Sequence, residues 1–498
     1  MLGKYAFIIL FITERPPNFS GKPPSDGLAT IVWIHPGNFT TGNPNIWNPY
    51  TIVNRYGVIV VTLAYRLNIM GFFTSMDGEA PGNFGLLDQQ AAFKWINSNI
   101  KLFGGNKEKI CLMGYGAGAI SIGLHLINLE SRGLFTKAIM MSGNFLHPSA
   151  VRLPEEDETV LDDIADFFGC FRRPTSALLE CLRRLDGLKL VEHTTNINWR
   201  PLIDKDLWNI STPFLEDFPK NYFEKDDFYK VPLLTGYTNM ENILEYEEIF
   251  DNNYFGNSSD LSTLIEEIFN RDLQTPNETD DCLSNVKFIT DTVLFFYGSS
   301  VPIKNADKIR KLITDFVTEK VLGSSIFLHS VYNSKFQPTF MYRFDTKPST
   351  SAAISTIPEW ISVPHLFDLI YVWGIPYWAQ LPDQKEWDIR DKTTSDIIMS
   401  FWTNFAKFSI PTITTIYPIH WENFTNDNPG ILIIDNTFNM SDPSKINYKS
   451  FDFWNNYYPE VINIAKQCCG LSSKSRAFRN CTSIQTFIII FVIATGLG

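Results

Sequence analysis

The pentapeptide Gly114-Tyr115-Gly116-Ala117-Gly118 stands between Ile110-Cys111-Leu112-Met113, which reads as a short buried strand, and an apolar stretch from about Ala117 to Leu129, which reads as a helix. A strand that turns this sharply into a helix projects its central side chain above the sheet. A hydroxyl or thiol held there beside a general base performs acyl transfer through a covalent intermediate. Flanking glycines are needed because strand and helix backbones crowd the turn. The central residue here is Gly116, whose side chain is a hydrogen. The spacing of the attacking turn is kept and the attacking atom is absent. Ser121 falls on the following helix and is no substitute.

Such a turn must be carried by a sheet. Thr30-Ile31-Val32-Trp33-Ile34 and Val58-Ile59-Val60-Val61-Thr62-Leu63 read as buried strands, and Asp88 to Asn99 has helical spacing of Ala91, Ala92, Trp95 and Ile96. Val231 to Gly236 and Thr339 to Phe344 are later strands, and Thr394 to Phe408 is helical. Short β-branched runs alternating with longer helices predict an α/β fold with a mainly parallel central sheet flanked by helices. Asp251 to Pro276 suggests exposed helices and loops around the core. With no repeat or low-complexity tract, we expect one elaborated domain over residues 1–465 and a tail over 466–498.

Asn83-Phe84-Gly85-Leu86-Leu87-Asp88-Gln89, Phe103-Gly104-Gly105-Asn106, the Gly116 turn and Met141-Ser142-Gly143 follow one another as signatures. Together with Val32-Trp33-Ile34-His35 and Tyr65-Arg66-Leu67-Asn68, they make the chain resemble the cholinesterase and type-B carboxylesterase family from about Thr30 to beyond Pro411. The resemblance implies the α/β-hydrolase fold. In that family the turn reads Gly-Glu-Ser-Ala-Gly, so Tyr115 replaces the acid and Gly116 the nucleophile. The family's triad acid falls on Glu241 and its histidine on His365, in the chain order of an α/β-hydrolase. The oxyanion turn falls on His35-Pro36-Gly37-Asn38, where Pro36 has no N–H to offer and Gly37, Asn38 and Ala117 remain as donors. Ser142 matches a structural motif of the family and is no substitute nucleophile.

The resemblance also implies structural roles. Arg66 and Asp88 match a buried ion pair whose breakage costs roughly 3–5 kcal/mol. Cys170 and Cys181, which bracket a segment short enough for a local disulfide, match one of the family's disulfide loops. Cys111 is expected as a buried free thiol, while Cys282, Cys468, Cys469 and Cys481 are not paired by the sequence. The helix Thr394 to Phe408, with Ile397, Ile398, Phe401, Trp402 and Phe405 on one stripe, resembles a segment that helps form dimers, core packing being the alternative.

Net charge of −12 without a basic cluster argues against a phosphate-backbone partner, so no nucleic acid is expected. No cofactor or metal is implied. Eight sequons, at Asn18, Asn38, Asn209, Asn257, Asn277, Asn423, Asn439 and Asn480, point to an extracellular or cell-surface location. A glycan on Asn38 would obstruct whatever lies beneath the oxyanion turn. Tyr5 to Thr13 reads as a strand, with a signal peptide as the alternative. Thr482 to Gly498 is uncharged but, at 17 residues and roughly 26 Å as a helix, short of a bilayer core. Preceded by Gly470, Ser472, Ser473 and Ser475 and a polar spacer, it fits a lipid-anchor signal, a truncated transmembrane helix and a buried core strand being the alternatives.

An intact scaffold without its nucleophile resembles the neuroligin, neurotactin, gliotactin and glutactin group. That resemblance implies a catalytically silent adhesion or recognition protein with an extracellular protein partner. An ester hydrolase of unusual residual activity and a carrier of a small apolar ligand are the alternatives.

Overall fold

The computed structural model describes residues 8–12, 25–147, 150–207, 212–241, 243–246, 265–266, 283–297, 306–350, 357–378, 386–413 and 419–468. The chain forms two compact units, one of Met1–Asn239 with Ser325–Ile446, the other of Met240–Ser324 with Asn447–Gly498.

The first unit is built on eight strands: β1 (Ile8–Phe11), β2 (Leu28–Ile34), β3 (Ile59–Leu63), β4 (Gly105–Tyr115), β5 (Lys137–Met141), β6 (Leu233–Thr238), β7 (Thr339–Phe344) and β8 (Ile431–Ile434). They lie in the order β1-β3-β2-β4-β5-β6-β7-β8. β1 runs antiparallel to β3, and every other neighbouring pair is parallel. Every residue of β3, β5, β6 and β8 is buried, as a sheet covered on both faces requires. Successive side chains serve opposite cores: Val32, Ile34 and Leu112 join one cluster, Ile31, Trp33, Cys111, Met113 and Tyr115 the other. The expected strand at Tyr5 to Thr13 is β1 over its described part.

Parallel registry fixes where loops emerge. Ile34 pairs with Gly114, Tyr115 with Met141, and Met141 with Gly236, so β2, β4, β5 and β6 end level. The segments that leave those ends are His35–Asn38, Gly116 and Ser142–Gly143, at the carboxyl edge where open α/β sheets hold ligands. The helix Phe84–Asn99 backs one face and Ile389–Phe408 the other, the latter capped by the Asp388 side chain, which accepts from the Arg390 N–H at 2.7 Å. The apolar stripe on this second helix is consumed by the core: Ile398, Phe401, Trp402 and Phe405 are buried and only Ile397 is half-buried.

In the second unit the helices Leu283–Phe296 and Ala306–Thr318 are followed by π-helical turns at Glu319–Gly323 and Phe453–Tyr457. Phe296 stacks on Phe453 at 4.5 Å, and the Trp454 indole donates to the Tyr297 hydroxyl, which donates to Glu319 at 2.6 Å. Burial and the Glu319 carboxylate raise the Tyr297 phenol above its ordinary value. Among the described residues no helix is long and apolar enough to cross a membrane. Most of Asp251 to Pro276, the tail beyond Cys468, and the side chains of Cys282, Cys468, Cys469 and Cys481 lie outside the described residues.

Candidate active site

Gly116 sits between β4 and the helix Ala117–Ile127 with φ 52° and ψ −116°, a conformation that side chains rarely adopt. Its N–H donates to the Met141 carbonyl at 2.9 Å and its carbonyl accepts from Ile120 at 2.9 Å, so both of its backbone groups are committed. The surrounding glycines are required by contact. A Cβ on Gly118 would meet the Ile34 carbonyl at 2.1 Å, and one on Gly143 would meet the Gly116 carbonyl at 2.2 Å. The central position differs. A Cβ on Gly116 would find ordinary contacts, 3.5 Å to His365 Nε2 and 3.9 Å to Pro36 Cβ. One bond beyond that carbon falls within hydrogen-bond reach of the imidazole, roughly 2.6–3.2 Å.

His365 is half-buried on the loop after Pro364. Tyr115 presents to it an edge-to-face contact with centroids 4.8 Å apart, and the Tyr115 hydroxyl accepts from the Leu366 N–H at 2.7 Å. Leu366 is held at φ 77°, a strained conformation for a branched side chain. The sequence marked Tyr115 only as a replaced acid; its grip on the histidine loop was not legible from its own position. The expected acid, Glu241, is fully buried in the second unit, where its N–H donates to the Thr318 hydroxyl at 3.1 Å.

The oxyanion turn is tightly built. Gly37 has φ 128°, Asn38 50° and Phe39 59°. The Gly37 carbonyl accepts from both Thr40 and Thr41 at 2.9 Å. His35 stacks on Tyr65 at 4.6 Å, its Nδ1 lies 2.9 Å from the Pro36 carbonyl, and burial lowers its imidazole below the ordinary value. Ala117 opens its helix, so its N–H has no intrahelical acceptor. What survives chemically is a histidine facing the apex and helix-terminal donors; a hydroxyl is missing. Ser121 is fully buried, accepts from Gln89 and donates to the Ala117 carbonyl at 2.9 Å, which removes it as an attacking group. Ser142 is buried at φ 44°. A cavity of about 360 Å³ lined by Tyr56, Asp396, Phe401 and Asn404 is separate from this constellation, sharing no residue with it. Among the described residues no His, Cys, Asp and Glu group could hold a metal ion.

Arg66 grips Asp88 with two parallel contacts, Nε to Oδ2 at 2.7 Å and Nη2 to Oδ1 at 2.8 Å, and adds its own N–H at 3.0 Å. The Arg66 side chain keeps 31% of its surface in solvent, so the pair is half-buried and its rupture costs less than the fully buried range. Cys170 and Cys181 form a disulfide, and Cys111 is a buried free thiol pushed up to about 12 by desolvation. A fully buried pair not anticipated from sequence, Arg152 with Asp157, ties a loop to Phe72 and Trp199; burial lowers the Arg152 guanidinium to about 9. Asn38, Asn423 and Asn439 are exposed, while Asn18, Asn209, Asn257, Asn277 and Asn480 lie outside the described residues.

Parallel sheet, strand-to-helix apex and facing histidine define an α/β-hydrolase scaffold. The carboxylesterase family profile matches residues 13–454, and the chain belongs to that family. It is 28% identical to acetylcholinesterase of Bungarus fasciatus over 456 residues, which cover 89% of this chain and 71% of that protein. It is 28% identical to cholinesterase of Mus musculus over 465 residues, 89% of this chain and 72% of that one. To neuroligin-2 of Mus musculus it is 29% identical over 413 residues, 80% of this chain but 46% of that longer protein, so it spans less than half of it.

Proposed function

We propose that this chain is an extracellular adhesion or recognition protein on an esterase scaffold, and that it does not turn over esters. The observation that carries the reading is the apex: the backbone stands in the attacking conformation 3.5 Å, measured from an added Cβ, from His365 Nε2, and the residue there is glycine. A histidine base acts by taking a proton from a hydroxyl, and Gly116 has none to give. Loss of a serine nucleophile costs roughly 10⁶-fold in turnover, or about 8 kcal/mol of barrier. Pro36 further depletes the oxyanion donors. The similarity to neuroligin-2 supports the adhesive half, since the shared region is the esterase-like body and fold alone does not assign chemistry.

The partner is accordingly a protein, engaged outside the cell, with homodimerisation a further feature of the proposal. The core takes most of the stripe on Ile389–Phe408, so a dimer must use other residues. Ester hydrolysis and fluorophosphonate labelling of the unmutated protein test the catalytic half. Turnover that vanishes with His365→Ala overturns it.

A further inference from the structure

We infer that Asn38 carries an N-linked glycan that stands over the Gly116 apex and shields it. The sequon Asn38-Phe39-Thr40 occupies the oxyanion turn itself. Its middle residue is an anchor: Phe39 is buried at 3% exposure, packs edge-to-face on Phe72 at 5.0 Å, and its carbonyl accepts from Asn68 N–H at 2.8 Å. With Phe39 pinned inward and three successive residues at positive φ, the turn holds Asn38 outward, exposed. Asparagine tolerates that left-handed backbone better than most residues, so the position suits this residue without strain relief from elsewhere. The Thr40 hydroxyl donates to the Asn38 carbonyl at 3.1 Å, and the Asn38 amide has no hydrogen-bond partner among the described residues. By contrast, the amide oxygen of exposed Asn423 accepts from Thr339 N–H at 2.7 Å.

Proximity gives the glycan its consequence. Pro36, two residues before Asn38, places its Cβ 3.9 Å from where a Gly116 side chain would begin. Two residues of chain span at most about 7 Å, so Asn38 roots a bulky sugar close to the apex, near enough to cover the approach to it. In an ester hydrolase that placement would exclude substrate; on a turn ending in glycine no activity is lost. The transfer is the ordinary one. Asn38 Nδ2 bonds to C1 of the first N-acetylglucosamine of a lipid-pyrophosphate-linked oligosaccharide, the bond from C1 to pyrophosphate breaks, one amide proton leaves, and the lipid pyrophosphate departs.

The inference rests on the extracellular reading, and the test separates the two. The full chain is secreted from a glycosylating eukaryotic cell, and its N-glycans are released enzymatically in heavy-oxygen water, which marks each occupied asparagine as labelled aspartate for peptide mass spectrometry. Label at Asn38 in most molecules is expected. Label at any of the other seven sequons with Asn38 bare overturns the glycan alone; all eight bare overturns the extracellular reading as well. Shielding is read with Gly116→Cys, alkylated by a bulky maleimide and mapped at position 116. Thr40→Ala, which removes the sequon and leaves Asn38 in place, is expected to speed that alkylation at least fivefold, and enzymatic deglycosylation to do the same. Equal rates overturn the shielding, and His365→Cys gives the same reading should the Gly116 variant fail to fold.

Discussion

Tyr115 holds the histidine loop twice: its ring meets His365 edge-to-face at 4.8 Å while its hydroxyl accepts the Leu366 amide at 2.7 Å. Tyr115 is fully buried, and deleting its hydroxyl removes the acceptor of the N–H of Leu366, a residue already held at φ 77°. Tyr115→Phe is therefore expected to cost about 1–2 kcal/mol. Denaturant unfolding measures the loss, and amide exchange localises it: Leu366 should lose protection while β4 and β5 keep theirs. An unchanged Leu366 rate would show that the loop is held by other contacts.

Gly116→Ser asks whether the scaffold remains competent. The new Cβ meets no clash, but φ 52° is strained for serine, and the variant should lose about 1–3 kcal/mol of stability. Its hydroxyl falls within reach of His365 Nε2, so fluorophosphonate labelling should appear at position 116 once the Asn38 sequon is removed with Thr40→Ala, and disappear again with His365→Ala. No labelling in the folded double variant would place the second defect in the oxyanion turn, where Pro36 lacks a donor.

The fold was legible where periodicity is strong. β2, β3, β6 and β7 follow the apolar runs that predicted them, and the helices Phe84–Asn99 and Ile389–Phe408 extend beyond the predicted bounds by several residues at their N-termini. β5, Lys137–Met141, was seen only through the Met141-Ser142-Gly143 signature, and β8, Ile431–Ile434, not at all, because a four-residue buried run has no period to distinguish it. The apex was legible because its glycines have steric causes that spacing records. The Leu366 amide on Tyr115, 251 positions away, was not, because a long-range hydrogen bond leaves no local pattern. Asp391 is similar: buried at the start of its helix, it accepts from Ser349, Thr350 and Tyr371, and only the fold brings them together.

The Cys170–Cys181 disulfide closes a loop with a sequence separation of 11 between the helices Glu158–Phe168 and Thr175–Arg183. Loop-closure entropy for that length gives about 3 kcal/mol of stabilisation. Replacing both cysteines by serine should lower unfolding stability by about 2–3 kcal/mol, since Cys170 is also buried at 8% exposure and its hydroxyl replacement packs less well. A change under about 1 kcal/mol in urea titration would mean that the folded loop holds without the link.

Two histidines make the first unit sensitive to acid. His125 and His329 are fully buried, and desolvation pushes each down to about 3 from an ordinary 6.5. His125 lies 3.1 Å from Gln89 and 2.8 Å from Ser131, whereas His329 has Asn144 at 3.3 Å on Nδ1 and the rings of Phe145 and Phe223 around it. The folded values lie below the unfolded ones, so between them the unfolded chain binds more protons. Stability is fully present above about pH 6.5 and falls as pH drops toward 3, by about 1.4 kcal/mol per pH unit per histidine. Between pH 7 and 5 each histidine should remove about 2 kcal/mol. His329→Gln keeps an acceptor for Asn144 and cannot titrate, so its loss over that interval should be smaller than the parent's by about the same amount, whatever its stability at pH 7. Parallel pH profiles for the two proteins would show that His329 protonates in the folded state as readily as in the unfolded chain.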